Sequence, residues 1–288
     1  MPSFTTRLAD GWDRALDHPA LALVPLGTAL LATDKVQQVA AFDGAHFGLR
    51  LGLPVGIVDL WQFVSVPDQT AGVGLPLPEA LPLAAVVVPV AIVVRAALAA
   101  GYLGSIAEAL GRDTFDFGAN VRRYFGPFLG YTLVPLLVVL PLALVGVTSL
   151  GAARPLVVLL VPAFIVAAYL FYATPYLIVL RDLDLLAAVR RSYALATAGG
   201  PYFQYALGYA GFVLGVSLVG TAVVVNLGLL GVVVGAVAAA PLGLAANAAT
   251  MRFVADIDAQ SPDFGDWDGP DVSEGTRPSG DRSPTAGD

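Results

Sequence analysis

Val189 to Tyr209 reads VRRSYALATAGGPYFQYALGY, and its pattern is repeated in VRRYFGPFLGY at Val121 to Tyr131. Each stretch lies between two long apolar runs. In each, a short segment that starts with two arginines ends before a proline, a residue that the first turn of a helix tolerates well. The pattern predicts a short charged helix followed by an apolar span, an arrangement typical of a membrane protein.

The composition also indicates a polytopic helical membrane protein. The 288 residues are 57% hydrophobic and only 13% charged, which is too apolar for a soluble domain of this length. The net charge of −7 is carried by Asp256 to Asp288, which holds nine acids and two arginines. The chain has no cysteine, which excludes disulfides, thiolate metal sites and cysteine nucleophiles.

Six apolar segments have the length that crosses about 30 Å of hydrocarbon. They predict transmembrane helices at residues 20–42, 81–103, 128–150, 156–180, 205–225 and 229–249. We therefore predict an all-α polytopic membrane bundle over residues 1–255 and a disordered acidic tail over residues 256–288, which is too polar to fold alone. Phe4 to Asp17 has one apolar face and is expected to lie flat at the membrane interface.

The longest connection, Asp43 to Glu79, has two possible conformations. From Phe47 to Ile57 apolar residues alternate with glycine, arginine and proline, and a period of two favours extended chain. Glycine also recurs at every fourth residue from Gly44 to Gly56, which would give a helix a smooth ridge. Because Pro54 would interrupt that helix, we predict an extended segment that lies partly at the outer interface.

Basic residues beside the spans predict the orientation. If the N-terminus is cytoplasmic, nine basic residues lie inside and three outside, so both termini are expected in the cytoplasm. The inner residues are Arg7, Arg14, Arg112, Arg122, Arg123, Arg181, Arg190, Arg191 and Arg252, and the outer ones are Lys35, Arg50 and Arg154.

The two arginine segments suggest an internal repeat. A shift of 68 positions superposes Asp184, Ala187 and Val189-Arg190-Arg191 on Asp116, Ala119 and Val121-Arg122-Arg123. Each short helix is expected to end before a proline that opens an outward span, and each inward span carries an internal proline. We therefore predict three parallel units of interfacial helix, outward span and inward span about an axis along the membrane normal.

Four segments resemble an uncharacterised family of haloarchaeal multi-pass membrane proteins, over roughly residues 19–258. They are ATPYLIVLRDL at 173–183, VRRSYALA at 189–196, VVVNLG at 223–228 and APLGLAANAATMRFVADID at 240–258. One lysine against fourteen arginines and the aspartate-rich tail also suit a halophilic archaeon, although a GC-rich genome would favour arginine too. More loosely, AVRRSYAL followed by glycine and aromatics is similar to the membrane domain that accompanies some glycerophosphoryl diester phosphodiesterases. These resemblances imply topology and bring no catalytic residues.

No catalytic, cofactor or metal site is predicted from the residues. His18 and His46 are the only histidines, and the topology puts them on opposite sides of the membrane, so they cannot share a metal. Ser192 has no neighbouring base and is interpreted as an interfacial polar residue. The glycines lie inside spans, where helix packing is the favoured role.

Five arginines are the candidate functional residues. Arg122, Arg123, Arg190 and Arg191 either set the topology by contacting headgroups or form a cytoplasmic rim that binds a lipid phosphate or a protein partner. Arg95 is the only charged residue well inside a span. It either has a function there or extends its side chain to the cytoplasmic end, which we expect one or two turns away.

The absence of a catalytic set favours a non-enzymatic scaffold or accessory protein. Its expected partners are the bilayer and a membrane or cytoplasmic protein, with no nucleic acid and no cofactor. The alternative is an uncoupled permease, channel or lipid carrier, since Asp34 is expected among the headgroups and no other acid lies within a predicted span for ion coupling. The two differ in one feature: a carrier predicts polar residues that converge near mid-membrane, whereas a scaffold predicts apolar packing there.

Overall fold

The computed structural model describes residues 2–67, 81–148 and 153–265, with side chains described outside 81–84, 138–148 and 153–161. Within these ranges the chain is helical except for turns and one extended segment, and the prediction of an all-α bundle is confirmed. The helices are α1 Phe4–Asp17, α2 Leu23–Leu31, α3 Thr33–Ala40, α4 Leu60–Phe63, α5 Leu81–Arg112, α6 Phe117–Thr148, α7 Ala153–Phe171, α8 Thr174–Arg181, α9 Leu185–Ala198, α10 Pro201–Asn226 and α11 Gly228–Ile257.

Several of these helices can cross a membrane. Among the described residues, four segments are long and apolar enough: 85–112, 162–181, 201–226 and 228–257. The turn Pro19–Ala22 with α2 and α3, bent by 59° between Leu31 and Thr33, passes the same test as a pair and is either a broken fifth span or a re-entrant loop. Helix α6 has 32 residues, but the side chains of its far end lie outside the described set. The protein is therefore a multi-pass membrane protein.

The bundle has two ends. We call the end where α5, α8 and α11 finish the basic face, because Arg112, Arg181 and the helix α9 lie there. The other end, where α10 passes into α11, is the opposite face. The predicted turn between these two helices is confirmed, since α10 ends at Asn226 and α11 begins at Gly228, which has a φ of +59°.

Both arginine segments begin a helix in the same way. Asp116 Oδ1 accepts a hydrogen bond from Ala119 N at 2.9 Å, and Asp184 Oδ1 accepts one from Ala187 N at 2.8 Å. These are N-caps, which satisfy free N–H groups of the first turn. The expected break before the proline occurs only in the second copy.

The two copies differ because of their glycines. In the second copy Gly199 and Gly200 have φ of +68° and +58°, and they separate α9 from α10. In the first copy a single glycine, Gly126, directly precedes Pro127, and α6 continues through both residues. Two successive glycines thus allow a sharp reversal that one does not produce here.

Helix α1 packs against α11. A Cβ at Gly11 would overlap the Ala245 carbonyl oxygen, so the two backbones are in close contact. Arg252 forms an ion pair with Asp10, and both side chains are buried. Arg7 and Asp10 of α1 are therefore paired inside the protein, whereas Trp12 and Leu16 of its apolar side are exposed.

The ordered chain continues past the predicted boundary at residue 255. Asp258 is fully buried, and its carboxylate accepts hydrogen bonds from Arg191 Nε at 2.8 Å and from Ser261 Oγ at 2.7 Å. The Gly265 carbonyl accepts a hydrogen bond from Arg252 at 3.0 Å. Residues 256–265 therefore pack on the bundle, and the rest of the predicted tail lies outside the described residues.

Candidate functional site

Residues 41–67 form a re-entrant hairpin that enters the bundle from the opposite face. At its start, His46 N donates to Asn226 Oδ1 at 2.8 Å, at the end of α10. Further along, Arg50 N donates to Ser217 Oγ at 2.8 Å. Ser217 lies nine residues before Asn226, which is about 14 Å along the helix. The descending arm therefore runs inward beside α10.

The tip of the hairpin is held by Asn247 of α11. Asn247 Oδ1 accepts a hydrogen bond from Val58 N at 3.0 Å, and its Nδ2 donates to the Gly56 carbonyl at 2.7 Å. Asn247 lies 19 residues from the start of α11 and ten from its end. The tip therefore reaches past the middle of that helix.

The same amide joins two tyrosines to the hairpin. Asn247 Oδ1 also accepts a hydrogen bond from the Tyr102 hydroxyl at 3.2 Å, and Nδ2 donates to the Tyr176 hydroxyl at 2.8 Å. All three side chains are fully buried. Helices α5, α8 and α11 are thus connected through one amide side chain at the hairpin tip.

The returning arm is also bonded to the helices around it. Trp61 Nε1 donates to the Ala29 carbonyl at 2.7 Å, and Ser65 N donates to Thr221 Oγ1 at 2.9 Å. Non-helical backbone is tolerated at membrane depth only where protein satisfies its polar groups or where it lines a water-filled cavity. The described part of the hairpin meets this condition with side chains from α10 and α11.

The glycine spacing found in the sequence has a structural reason in this hairpin. Side chains at Gly48 and Gly52 would collide with Ser65 and Gln62 on the returning arm. Gly56, near the tip, has a φ of +91°, a conformation that glycine adopts without strain. The extended conformation is therefore confirmed. The descending arm runs along α10 with the side chains of Phe47, Leu49 and Leu51 exposed, whereas Val58 and Trp61, at the tip and on the returning arm, are buried.

Three charged side chains lie around the hairpin tip and its returning arm. Asp59 accepts a hydrogen bond from Trp61 N at 3.0 Å and interacts electrostatically with Lys35 and Arg95. Lys35 Nζ lies 5.7 Å from the centre of the Trp61 ring, a distance suited to a cation–π contact. These charges come from α3, the hairpin and α5, and we call them the central charge cluster.

Arg95 lies near the middle of α5, which is longer than the span predicted from the sequence. Helix α5 continues to Arg112, so Arg95 is 17 residues, or about 25 Å, from its end at the basic face. Arg95, Ala99 and Tyr102 recur at spacings of four and three, which puts them on one side of the helix. Ala99 and Tyr102 are buried, whereas Arg95 is exposed, as are residues 85–91, 93 and 94 of the same helix.

Of the four rim arginines, two are paired with aspartates and two are exposed. Arg123 bonds to Asp182 with an Nη2–Oδ2 distance of 3.0 Å, and this hydrogen-bonded cation lowers the pKa of Asp182. Arg191 bonds to the buried Asp258 at 2.6 Å. The preceding arginines, Arg122 and Arg190, are exposed, and the described residues form no ion pair with them.

Two other candidate residues have structural roles. His18 Nε2 lies 3.2 Å from Asp113 Oδ1 at the basic face, while His46 lies near the opposite face. Ser192 is buried, and its hydroxyl donates to the Leu170 carbonyl at 2.8 Å, so it is a packing residue rather than an interfacial one. Among the described residues, no group of three or more His, Asp or Glu side chains could hold a metal ion.

The chain matches no protein-family model, no curated protein and no solved structure. The sequence reasoning identified Arg95 but missed Lys35, Asp59 and Asn247. Lys35 and Asp59 lie in segments that the sequence assigned to the outer surface, where charged side chains are common and do not indicate a site. Asn247 could have pointed to the site from the sequence, because an amide within the apolar run of α11 needs a polar partner.

Proposed function

We propose that the protein is a membrane permease or channel whose path runs beside the re-entrant hairpin. The observation that carries this proposal is the central charge cluster, in which Lys35, Asp59 and Arg95 come from three separate elements. A charged side chain in hydrocarbon costs several kcal/mol unless it is paired or faces water. A polar path through the bundle explains why these charges are retained.

Arg95 gives the strongest support for an open path. Its side chain is exposed, and it lies on the same side of α5 as the buried Ala99 and Tyr102. Among the described residues, none forms a hydrogen bond or an ion pair with its guanidinium. Water or a permeating solute would satisfy its five donors. Polar convergence at this depth favours a permeation pathway over a purely apolar scaffold.

The proposed pathway lies within three related units whose basic face is cytoplasmic. Three side-chain contacts support this organisation, because each joins a residue at or before the start of an outward span to the aspartate that follows the inward span of the same unit. The pairs are His18–Asp113, Arg123–Asp182 and Arg191–Asp258. In the first two units this aspartate has positive φ, 60° at Asp113 and 53° at Asp182.

A scaffold that contacts anionic lipid is the second candidate. Leu186, Arg190 and Tyr193 recur at spacings of four and three on α9, and all three are exposed. Such a face suits a headgroup layer, with the arginine on phosphate and the other two side chains among acyl chains. Changing Arg122 and Arg190 to glutamine should then reduce the anionic lipid that copurifies with the protein.

Reconstitution into liposomes tests the main proposal. Purified protein should release chloride, potassium or glycerol from loaded vesicles faster than protein-free vesicles do. The double variant Arg122→Gln/Arg190→Gln should release solute at the wild-type rate, because these residues lie away from the charge cluster. Release at the protein-free rate for all three solutes, from protein that elutes as a single folded species, would rule out the pathway and favour the scaffold.

A further inference from the structure

We infer that His18 and Asp113 form a pH-sensitive latch at the basic face, which is closed when His18 is protonated and open when it is neutral. His18 Nε2 lies 3.2 Å from Asp113 Oδ1, a distance at which an imidazolium N–H donates to the carboxylate. The closed latch joins the end of α1 to the end of α5. It lies at the other end of the bundle from the face at which the hairpin enters, so it is independent of the permeation proposal.

The equivalent contact of the second unit uses a permanent cation. Arg123 Nη2 lies 3.0 Å from Asp182 Oδ2. Asp113 and Asp182 each follow an arginine that ends a helix, and their φ values are 60° and 53°. Arginine stays protonated in proteins, whereas histidine ordinarily changes charge between about pH 5 and 8. The contact of the first unit therefore responds to pH in a range where that of the second does not.

The surroundings of His18 make the contact stronger for the charged ring than for the neutral one. His18 caps the C-terminal end of α1, and Asp113 directly follows the C-terminal end of α5. Such helix ends carry negative partial charge and attract a cation, as the carboxylate does. Only 17% of the His18 side chain is exposed, and its ring lies edge-on to Phe115 with the ring centres 6.1 Å apart. The imidazole is thus held beside the carboxylate.

Three other charged side chains line the same groove as His18 and Asp113. They are Arg14 and Asp17 from α1 and Arg112 from α5, around a groove of about 860 Å³. Among arginine, aspartate and histidine side chains, histidine alone ordinarily changes charge between about pH 5 and 8. A change of this groove within that range is therefore assigned to His18.

Charged side chains of the neighbouring elements are bonded elsewhere. Helix α11, the start of α6, the preceding turns of α5 and the segment after α11 all bring charges toward this end of the bundle. Their bonds are Arg252 to Asp10, Asp256 to Arg7, Glu108 to Asn120, Asp116 to the Ala119 N–H and Asp263 to the Gly265 N–H. Each of these acids and bases thus has a partner other than His18.

A cysteine at Ala109 tests whether the latch opens. Ala109 lines the groove and is 8% exposed, and the chain has no cysteine of its own. The reaction of Ala109→Cys with a maleimide is followed on the full-length protein in mild detergent, at about pH 5.5 and about pH 8. Because the thiolate is the reactive form, each rate is divided by that of the exposed Thr197→Cys at the same pH. The ratio should rise about two- to fivefold at the higher pH, the range for a pair whose carboxylate is exposed.

Variants in the Ala109→Cys background assign this change to the latch. His18→Arg should react slowly at both pH values, because its charge is permanent like that of Arg123. His18→Gln and Asp113→Asn should react fast at both, and asparagine tolerates the positive φ of this position. His46→Gln is the matched control, because His46 is the other histidine of the chain and lies near the opposite face. It should keep the pH response.

The outcomes separate the latch from other sources of pH dependence. A ratio that is equal at both pH values in the unaltered groove overturns the latch. A pH response that persists in either His18→Gln or Asp113→Asn also overturns it, because another group would then be responsible. A response that is lost in both variants and kept in His46→Gln supports it. None of these results depends on solute passage, so the permeation proposal and the latch stand or fall separately.

Discussion

Asn247 illustrates how much one polar residue can determine in an apolar bundle. Its amide bonds to two backbone groups of the hairpin, at Gly56 and Val58, and to two tyrosine hydroxyls. A buried donor or acceptor that loses its partner costs about 1–3 kcal/mol. We therefore expect Asn247→Leu to destabilise the protein by about 2–6 kcal/mol, because at least two backbone groups lose their bonds.

Thermal unfolding in mild detergent measures this effect. Asn226→Leu is the matched control, since Asn226 also bonds to the hairpin, at His46, but lies at the exposed end of α10 where water can replace it. The control should shift the melting temperature much less. Equal shifts for the two variants would show that the amide at the tip has no special role.

The two aspartate–arginine pairs at the basic face should differ in strength. Asp258 is fully buried, whereas Asp182 is more than half exposed. An exposed pair contributes about 0–1 kcal/mol, while loss of a buried carboxylate strands its partners and costs about 3 kcal/mol. Asp258→Asn should therefore lower the melting temperature clearly, and Asp182→Asn should change it little. The reverse order would contradict the burial seen here.

The exposed Arg123–Asp182 pair predicts that the stability of the protein depends weakly on pH. Because the hydrogen bond from Arg123 lowers the pKa of Asp182, its stabilisation is present at neutral pH, above the carboxyl pKa of the unfolded chain. It is lost as pH falls through the lowered folded pKa, below about 4. The difference in stability between the wild type and Asp182→Asn should accordingly vanish in acid. A difference that grows in acid would refute this sign.

At the scale of elements, the hairpin depends on close contact with α11. A Cβ at Gly243 would overlap the Val58 carbonyl oxygen, and a backbone atom cannot rotate away as a side chain could. We expect Gly243→Ala to displace the hairpin tip and cost about 1–3 kcal/mol. Hydrogen exchange at residues 50–65 should rise in this variant.

Gly215 on α10 is the control for that substitution. A Cβ there meets nothing within 4 Å, so Gly215→Ala adds only the helix propensity of alanine, worth up to about 1 kcal/mol. This control should be neutral or stabilising, with normal exchange in the hairpin. If both alanine variants behave alike, the close approach at Gly243 is not what holds the hairpin.

At the scale of the whole molecule, the orientation can be tested directly because the chain has no cysteine of its own. Ala45 is exposed at the opposite face and Thr197 at the basic face. The excess of basic residues predicts that Ala45→Cys reacts with an impermeant maleimide on intact cells, and that Thr197→Cys reacts only after permeabilisation. The opposite labelling pattern would invert the proposed topology.

The all-α membrane architecture and the positions of most helices follow from the amino-acid sequence alone. The helix bounds near Asn226 and Gly228 follow from local composition, because lipid leaves an apolar segment few ways to satisfy its backbone except by forming a helix. The extended conformation of the long connection was also predictable, since its apolar residues alternate with a period of two.

The position of that connection and the residues around it depend, by contrast, on contacts between residues that are far apart in the sequence. Val58 bonds to Asn247 across 189 positions of sequence, and Lys35, Asp59 and Arg95 come together only once the hairpin has entered the bundle. Local patterns do not encode such distant pairings. Asp59, which the sequence places in an outer loop, therefore lies among the helices. Its position is possible because polar side chains of α10 and α11 form hydrogen bonds with the backbone of the hairpin.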